Sequence, residues 1–248
     1  MFQTFHVYTE LLDIQQLENL KIRVKILVMR IHQNPAYKYI ESCYGPENTS
    51  MQLSRQFAEQ IGLGSISVSQ TEAHLMSFLA AMIRPQKIVE IGTLTGLSCQ
   101  YFLQSLHGDG SVYTLEKSKE HVELSQLVLK PWIDQGRCHI IEGDARENLA
   151  KLQGPFDVIF IDGNKAAYGD YWNWAKTNIR VGGIILIDNV FLSGAVWSKP
   201  GEATTTGQKF SPKQVGVMKE MTRQVLEDAA FKSTFIPTEE GLLLAFKI

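Results

Sequence analysis

The stretch Lys87-Ile88-Val89-Glu90-Ile91-Gly92-Thr93-Leu94-Thr95-Gly96-Leu97-Ser98 narrows the possible folds more than any other part of the chain. It opens with a short apolar run of the kind buried in a parallel sheet. An acid falls at its end and glycines follow. Leu97, Tyr101, Phe102 and Leu106 then recur at helical spacing. Strand, glycine turn and helix bring backbone and free N–H groups close to a nucleotide-like ligand. Glu90 stands where the dinucleotide fingerprint has its first glycine. The turn therefore suits a cofactor without a pyrophosphate, such as S-adenosylmethionine. A strand-to-helix turn with no ligand uses similar residues, so this stretch needs support from the rest of the chain.

That support lies in where the acids fall. Ser111–Leu115 reads as a second strand ending at Glu116, and Cys138–Ile141 as a third, followed by Glu142-Gly143-Asp144-Ala145. Phe156–Ile161 ends at Asp162, and Ile184–Ile187 ends at Asp188-Asn189. Glu90, Glu116, Asp144, Asp162 and Asp188 thus sit at or just beyond the carboxyl ends of strands, the edge where open α/β sheets bind ligands. Glu116 suits hydrogen bonds to ribose hydroxyls, and Asp144 with Ala145 would flank an adenine. Strands alternating with helices predict an α/β fold, a mostly parallel sheet with helices on both faces. The end, Ser233–Ile236, the turn Thr238–Gly241 and Leu242–Ile248, predicts an antiparallel hairpin at the sheet edge.

Ahead of the sheet, residues 9–32 carry a broad apolar helical face, either packed on its own domain or forming a dimer contact or a wall over the site. Helices are expected over 36–43, 50–61 and Glu72–Ile83, the last capped by Ser69 or Thr71, and over His121–Leu129 and 212–229. Residues 192–214, rich in Gly, Ser, Thr and Pro, predict a long mobile loop.

A chain of 248 residues with 44% hydrophobic residues suits one large domain, with 1–50 a helical extension and 51–248 the core. A net charge of −2 gives no nucleic-acid footprint, although a local basic patch stays open. Cys43, Cys99 and Cys138 lack CxxC spacing and read as reduced thiols, not a zinc site or a disulfide framework. Met1–Thr9 lacks a signal-peptide pattern, and the apolar segment Ile22–Ile31 is broken by Arg23, Lys25 and Arg30. No membrane partner and a cytoplasmic location are expected.

Asp162, Asp188 and Asn189 form a second constellation. Three oxygen donors from two strand ends suit a hard divalent cation, and no His or Cys joins them to favour zinc. Taken singly, each is also an ordinary turn or loop-start residue. Lys165, three positions after Asp162, would lose basicity beside a cation and could then act as a general base. The six histidines are scattered and read as surface or core positions. Trp172 and Trp174 read as helix packing, and Phe191, Trp197 and Phe210 as either a pocket lining or a covering loop.

With these residues in view, the chain resembles the cation-dependent class I O-methyltransferases of the caffeoyl-CoA and catechol type. The resemblance is carried by Val89 to Ser98, by Phe156-Asp157-Val158-Ile159-Phe160-Ile161-Asp162-Gly163-Asn164-Lys165, and by Tyr168 with Tyr171. Gly182-Gly183, Ile187-Asp188-Asn189-Val190, Ile236-Pro237 and Glu240-Gly241-Leu242 continue it, so that it spans roughly residues 45–248. It implies a Rossmann-like fold with a seven-stranded sheet, and a homodimer. Val68, Glu90, Gly92, Thr93, Ser98, Glu116, Asp144, Ala145, Asp162 and Tyr171 would hold S-adenosyl-L-methionine. Asp162, Asp188 and Asn189 would hold Mg²⁺, or Ca²⁺ or Mn²⁺, and Lys165 would take the proton from a hydroxyl of a small aromatic acceptor. Leu192 replaces a Trp common in the family, Asp162-Gly163-Asn164-Lys165 replaces Asp-Ala-Asp-Lys, and Lys219-Glu220-Met221-Thr222 stands where Arg-x-Phe-Asn is common. These departures are expected to face the acceptor. A hydroxylated tRNA nucleoside is the alternative acceptor, with Lys199, Lys209 and Lys213 leaving it open. A non-catalytic cofactor-binding module is the rival class, and the intact Asp162, Lys165, Asp188 and Asn189 argue against it.

Overall fold

A computed structural model of the chain describes residues 35–199, 204 and 206–248. The helix expected over 9–32 lies outside them, as do His6 and His32. In chain order the elements are α1 (Pro35–Tyr44), α2 (Thr49–Gln60), α3 (Gln70–Met82), β1 (Lys87–Ile91), α4 (Leu97–Ser105), β2 (Ser111–Glu116), α5 (Lys119–Asp134) and β3 (Cys138–Glu142). They continue as α6 (Ala145–Leu149), β4 (Phe156–Ile161), α7 (Tyr168–Asn178), β5 (Ile179–Ile187), α8 (Pro212–Glu227), β6 (Phe231–Ile236) and β7 (Leu242–Lys247).

The seven strands form one sheet in the order β3-β2-β1-β4-β5-β7-β6. The first five strands are parallel, and β7 runs antiparallel to both β5 and β6, as the terminal hairpin predicts. The strand order reverses between β1 and β4, which is where a crevice opens at the carboxyl edge.

The central strands are buried on both faces, which is why they read as continuous apolar runs instead of alternating ones. One face, with Val89, Ile159, Ile161, Ile185 and Ile187, packs on Tyr168 and Trp172 of α7 and on Met218 and Val225 of α8. The other, with Ile88, Val112, Val158, Phe160 and Leu186, packs on Phe57, Met76, Phe102 and Leu129. Phe160 is 1% exposed, and truncating it to Ala would cost about 3–5 kcal/mol.

Three boundaries differ from the sequence expectation. Helix α5 runs past Pro131 to Asp134 because Trp132 and Ile133 pack on the core beyond it, and that packing outweighs one missing N–H donor. Strand β5 begins at Ile179, well before Ile184, with a register shift opposite Phe156 and Val158. Within 192–214 the beginning is tied down: Ser193 is 1% exposed, and its N–H and hydroxyl donate to the Glu240 carboxylate at 2.9 and 3.0 Å.

Candidate active site

A cavity of about 330 Å³ opens at the carboxyl edge of β1, β2 and β4. Its floor is the turn after β1. Gly92 has φ +104°, and a Cβ there would lie 2.1 Å from the Asp162 carbonyl oxygen, so only glycine lets β1 and β4 close up at this point. Gly96, at φ +82°, starts α4. Helix α2 braces the turn from behind, where the buried Ser54 hydroxyl donates to the Thr95 carbonyl at 2.9 Å. The wall at Val68 is fixed by Arg55, which donates to the Val68 carbonyl at 3.1 Å while gripping Glu47 with two nitrogens at 2.5 and 2.7 Å.

Of the residues expected to hold the cofactor, Val68, Gly92, Thr93, Ser98, Glu116, Asp144, Ala145, Asp162 and Tyr171 all line this cavity. Glu90 does not; it is fully buried behind the turn. Its carboxylate accepts from the Ser98 hydroxyl at 2.5 Å and from the Thr114 hydroxyl at 2.6 Å. Burial pushes its pKa up to about 7, the Ser98 and Thr114 bonds oppose that rise, and the Asp162 charge adds to it. Glu90 therefore acts on the cavity through Ser98.

Glu116 accepts three backbone N–H bonds, from Leu94 at 2.9 Å, Lys117 at 2.7 Å and Ser118 at 2.8 Å. A carboxylate has room for about four, so one acceptor position remains for a ligand hydroxyl. Asp144 caps α6, accepting from the Arg146 N–H at 3.0 Å. The Arg146 guanidinium and Lys117 beside it hold its carboxyl well below the usual range. His121 was expected to be an ordinary surface or core residue. It lines the cavity instead, its Nδ1 3.5 Å from Glu116 Oε1.

At the opposite end Lys165 gathers the second constellation. Its ammonium donates to Asp162 Oδ1 at 2.6 Å, to the Tyr168 hydroxyl at 2.7 Å and to Asn189 Oδ1. The Tyr168 hydroxyl donates in turn to the Asp188 carbonyl at 3.1 Å. Asp188 itself is 6% exposed and lies behind the cavity wall, where its carboxylate accepts from the Asn189 N–H at 2.7 Å. Asn189 sits in the left-handed region at φ +59°, which turns its side-chain oxygen toward Lys165. Burial pushes the Asp188 carboxyl well up, and the charges of Asp162 and Glu72 push further, with Lys165 opposing.

Among the described residues no three His, Cys, Asp or Glu side chains gather as a metal cluster. The set here is two carboxylates and one amide, all oxygen donors. Two of those oxygens already converge on a positive charge, the Lys165 ammonium. Such a set fits a hard cation whose remaining positions are filled by solvent and ligand oxygens.

Sequence reasoning gave Tyr168 no role, although its place three residues after Lys165, inside a quoted motif, was the available signal. It also placed Leu192 on the acceptor side. Leu192 is fully buried in the core, so its replacement of an aromatic does not shape the cavity. Phe210 lines the cavity. Phe191 and Trp197 do not; they pack edge to face at 5.3 Å. Trp172 is fully buried helix packing, and Cys99 and Cys138 are buried free thiols, as expected.

A switch-point crevice with a glycine turn at its floor and acids on successive strand ends defines a Rossmann-like, class I methyltransferase architecture. A family model described as O-methyltransferase matches residues 41–248. A catechol O-methyltransferase of Niastella koreensis is 32% identical over 162 residues, covering 64% of this chain and 73% of that protein. A catechol O-methyltransferase of Mycobacterium tuberculosis is 27% identical over 179 residues, covering 72% and 81%. Among solved structures, the O-methyltransferase TomG of Streptomyces achromogenes, in complex with S-adenosylmethionine, superposes with a TM-score of 0.77 at 25% identity, covering 86% of this chain and 96% of that one. The chain belongs to the O-methyltransferase family, whose members are S-adenosylmethionine-dependent enzymes of this fold.

Proposed function

We propose that the protein methylates one hydroxyl of a small aromatic vicinal diol of the catechol class, with a divalent cation held by Asp162, Asp188 and Asn189. The observation that carries this reading is the cluster of Asp162, Lys165, Tyr168 and Asn189 at one end of a cavity whose other end carries Gly92, Glu116 and Asp144. The two catechol O-methyltransferases among the relatives support the acceptor class.

In this reading Glu116 takes a ribose hydroxyl with its remaining acceptor position. Asp144 and Ala145 border the adenine. Val68, Gly92, Thr93 and Ser98 hold the methionine end, with Glu90 fixing the Ser98 hydroxyl and Tyr171 and Asp162 closing the cavity. When bound, Mg²⁺ or a similar ion would lower the pKa of both the acceptor hydroxyl and Lys165. With its pKa lowered Lys165 Nζ gives up a proton to solvent, and as the neutral amine it takes the hydroxyl proton, while Tyr168 and Asn189 keep that nitrogen in place. The acceptor oxygen then forms a C–O bond as the methyl C–S bond breaks, and the electron pair of that bond stays on sulfur. Little covalent work falls to the protein, so holding the two substrates in register supplies much of the rate.

The test is methyl transfer from labelled S-adenosylmethionine to matched acceptors, a catechol and the corresponding monophenol. Transfer to the catechol alone is expected. Equal transfer to both would remove the vicinal-diol requirement. Transfer to neither, but to tRNA bearing a hydroxylated nucleoside, would replace the acceptor class.

A further inference from the structure

We propose that Glu240 is a positioning residue for Asn189: its buried carboxylate clamps the far end of the turn that begins at Asn189, and so keeps the Asn189 amide oxygen at the cation end of the cavity. This rests on the cation reading above. The turn has a constrained backbone. Asn189, Leu192 and Ser193 all lie in the left-handed region, at φ +59°, +47° and +50°. Residues other than glycine hold that conformation where their surroundings impose it. The Leu192 N–H donates to the Asn189 carbonyl at 3.0 Å and closes the turn.

The turn between β6 and β7 imposes it in two ways. Its main chain takes the middle of the Asn189 turn: the Val190 N–H donates to the Gly241 carbonyl at 3.1 Å, and the Phe191 N–H to the Glu240 carbonyl at 2.9 Å. Any residue at 240 would supply that carbonyl. The Glu240 side chain takes the end. The Ser193 N–H donates to Oε2 at 2.9 Å, and the Ser193 hydroxyl donates to Oε1 at 3.0 Å. The Thr206 hydroxyl donates to Ser193 Oγ at 2.9 Å, which ties in the segment that brings Gln208 and Phe210 to the cavity. Glu240 is 2% exposed and lines the same cavity as Asn189. A carboxylate is costly to bury unless donors meet it, and bonds to an ionised acceptor away from water are strong. Here those donors belong to the last left-handed residue of the turn. Its first left-handed residue is Asn189, whose backbone angle turns Oδ1 to Lys165. Releasing Ser193 therefore lets the turn relax and moves a proposed cation donor.

The experiment titrates Mn²⁺ into the full chain, without acceptor, and follows the free-ion paramagnetic resonance signal; S-adenosylmethionine binding is measured separately by calorimetry. Wild type, Glu240→Ala, Glu240→Gln and Ser193→Ala are compared, with circular dichroism to check that each is folded. Glu240→Ala is expected to weaken Mn²⁺ binding about tenfold, the usual effect of losing a group that orients a metal ligand, and to leave S-adenosylmethionine binding unchanged. Glu240→Gln, which keeps an acceptor oxygen for the Ser193 N–H, should lose less. Ser193→Ala keeps the negative charge and removes one bond of the clamp, and should weaken Mn²⁺ about threefold. It carries the test by itself if Glu240→Ala does not fold. Unchanged Mn²⁺ affinity in folded Glu240→Ala would overturn the inference. A loss in both Glu240 variants with none in Ser193→Ala would overturn it too, because the charge and not the clamp would then matter. Equal weakening of Mn²⁺ and S-adenosylmethionine would make the role one of general stability and overturn it as well. If wild type binds no Mn²⁺, the cation reading itself falls and takes this inference with it, an outcome distinct from the others.

Discussion

The two ends of the cavity hold their acids in opposite states. At the end that carries Glu116 and Asp144 the chain satisfies its own charges: Glu116 accepts three backbone N–H groups, and Asp144 is wrapped by Arg146 and Lys117. At the other end Asp188 is buried with Asp162 and Glu72 near enough to disfavour its ionisation, and Lys165 is the counter-charge bonded there. One end is preorganised by the sequence. The other carries more negative charge than its own groups balance, the condition a bound cation relieves.

This contrast can be broken at either end. The largest effect is expected at the charged one. Asp162→Ala removes a proposed cation donor and the ion-pair partner of Lys165, and should lower kcat by about 10³-fold, equivalent to about 4 kcal/mol, in the labelled methyl-transfer assay. Next comes Glu90, whose pKa is about 7 when folded against an ordinary 4.5. A carboxyl raised by folding lends stability that is fully present below about 4.5 and is lost as pH rises to about 7, up to about 3 kcal/mol in the cation-free protein. Urea midpoints at pH 5 and pH 8 should therefore differ in wild type and converge in Glu90→Gln. Lys165→Ala should slow methyl transfer by about 10²-fold, the contribution of one general base, while calorimetric binding of S-adenosylmethionine stays unchanged. The smallest effect belongs to the preorganised end: Glu116→Gln should weaken S-adenosylmethionine about tenfold and leave Mn²⁺ binding untouched. If it weakened both ligands equally, the two ends would not be independent.

How far the sequence could be read follows the same division. Strand runs such as Phe156–Ile161 are apolar because both faces are buried, and acids fall at the strand ends, so the sheet and the edge at which the cavity opens were legible from pattern alone. Gly92 was read as letting backbone approach a ligand; the close approach the structure shows there is to the Asp162 carbonyl, seventy positions away, which only the fold supplies. What stayed hidden depended on which way a side chain points. Asp188 and Glu90 were placed at the ligand edge, yet their carboxylates lie behind the cavity wall. Leu192 was expected to face the acceptor but turns into the core, at φ +47°. His121 was set aside with the other histidines because nothing in its local sequence shows that the start of α5 borders the cavity. The helix expected over His121–Leu129 runs on through Pro131 to Asp134, where tertiary packing overrides the local sequence.

The most direct test of the central claim, that the oxygen cluster at the ends of β4 and β5 works as a cation site, is the rate of methyl transfer to a catechol in EDTA and again after Mg²⁺ is restored. The account predicts that transfer stops in the chelator while S-adenosylmethionine still binds, returns with the metal, and does not return in Asp162→Ala. Full activity in EDTA would contradict it.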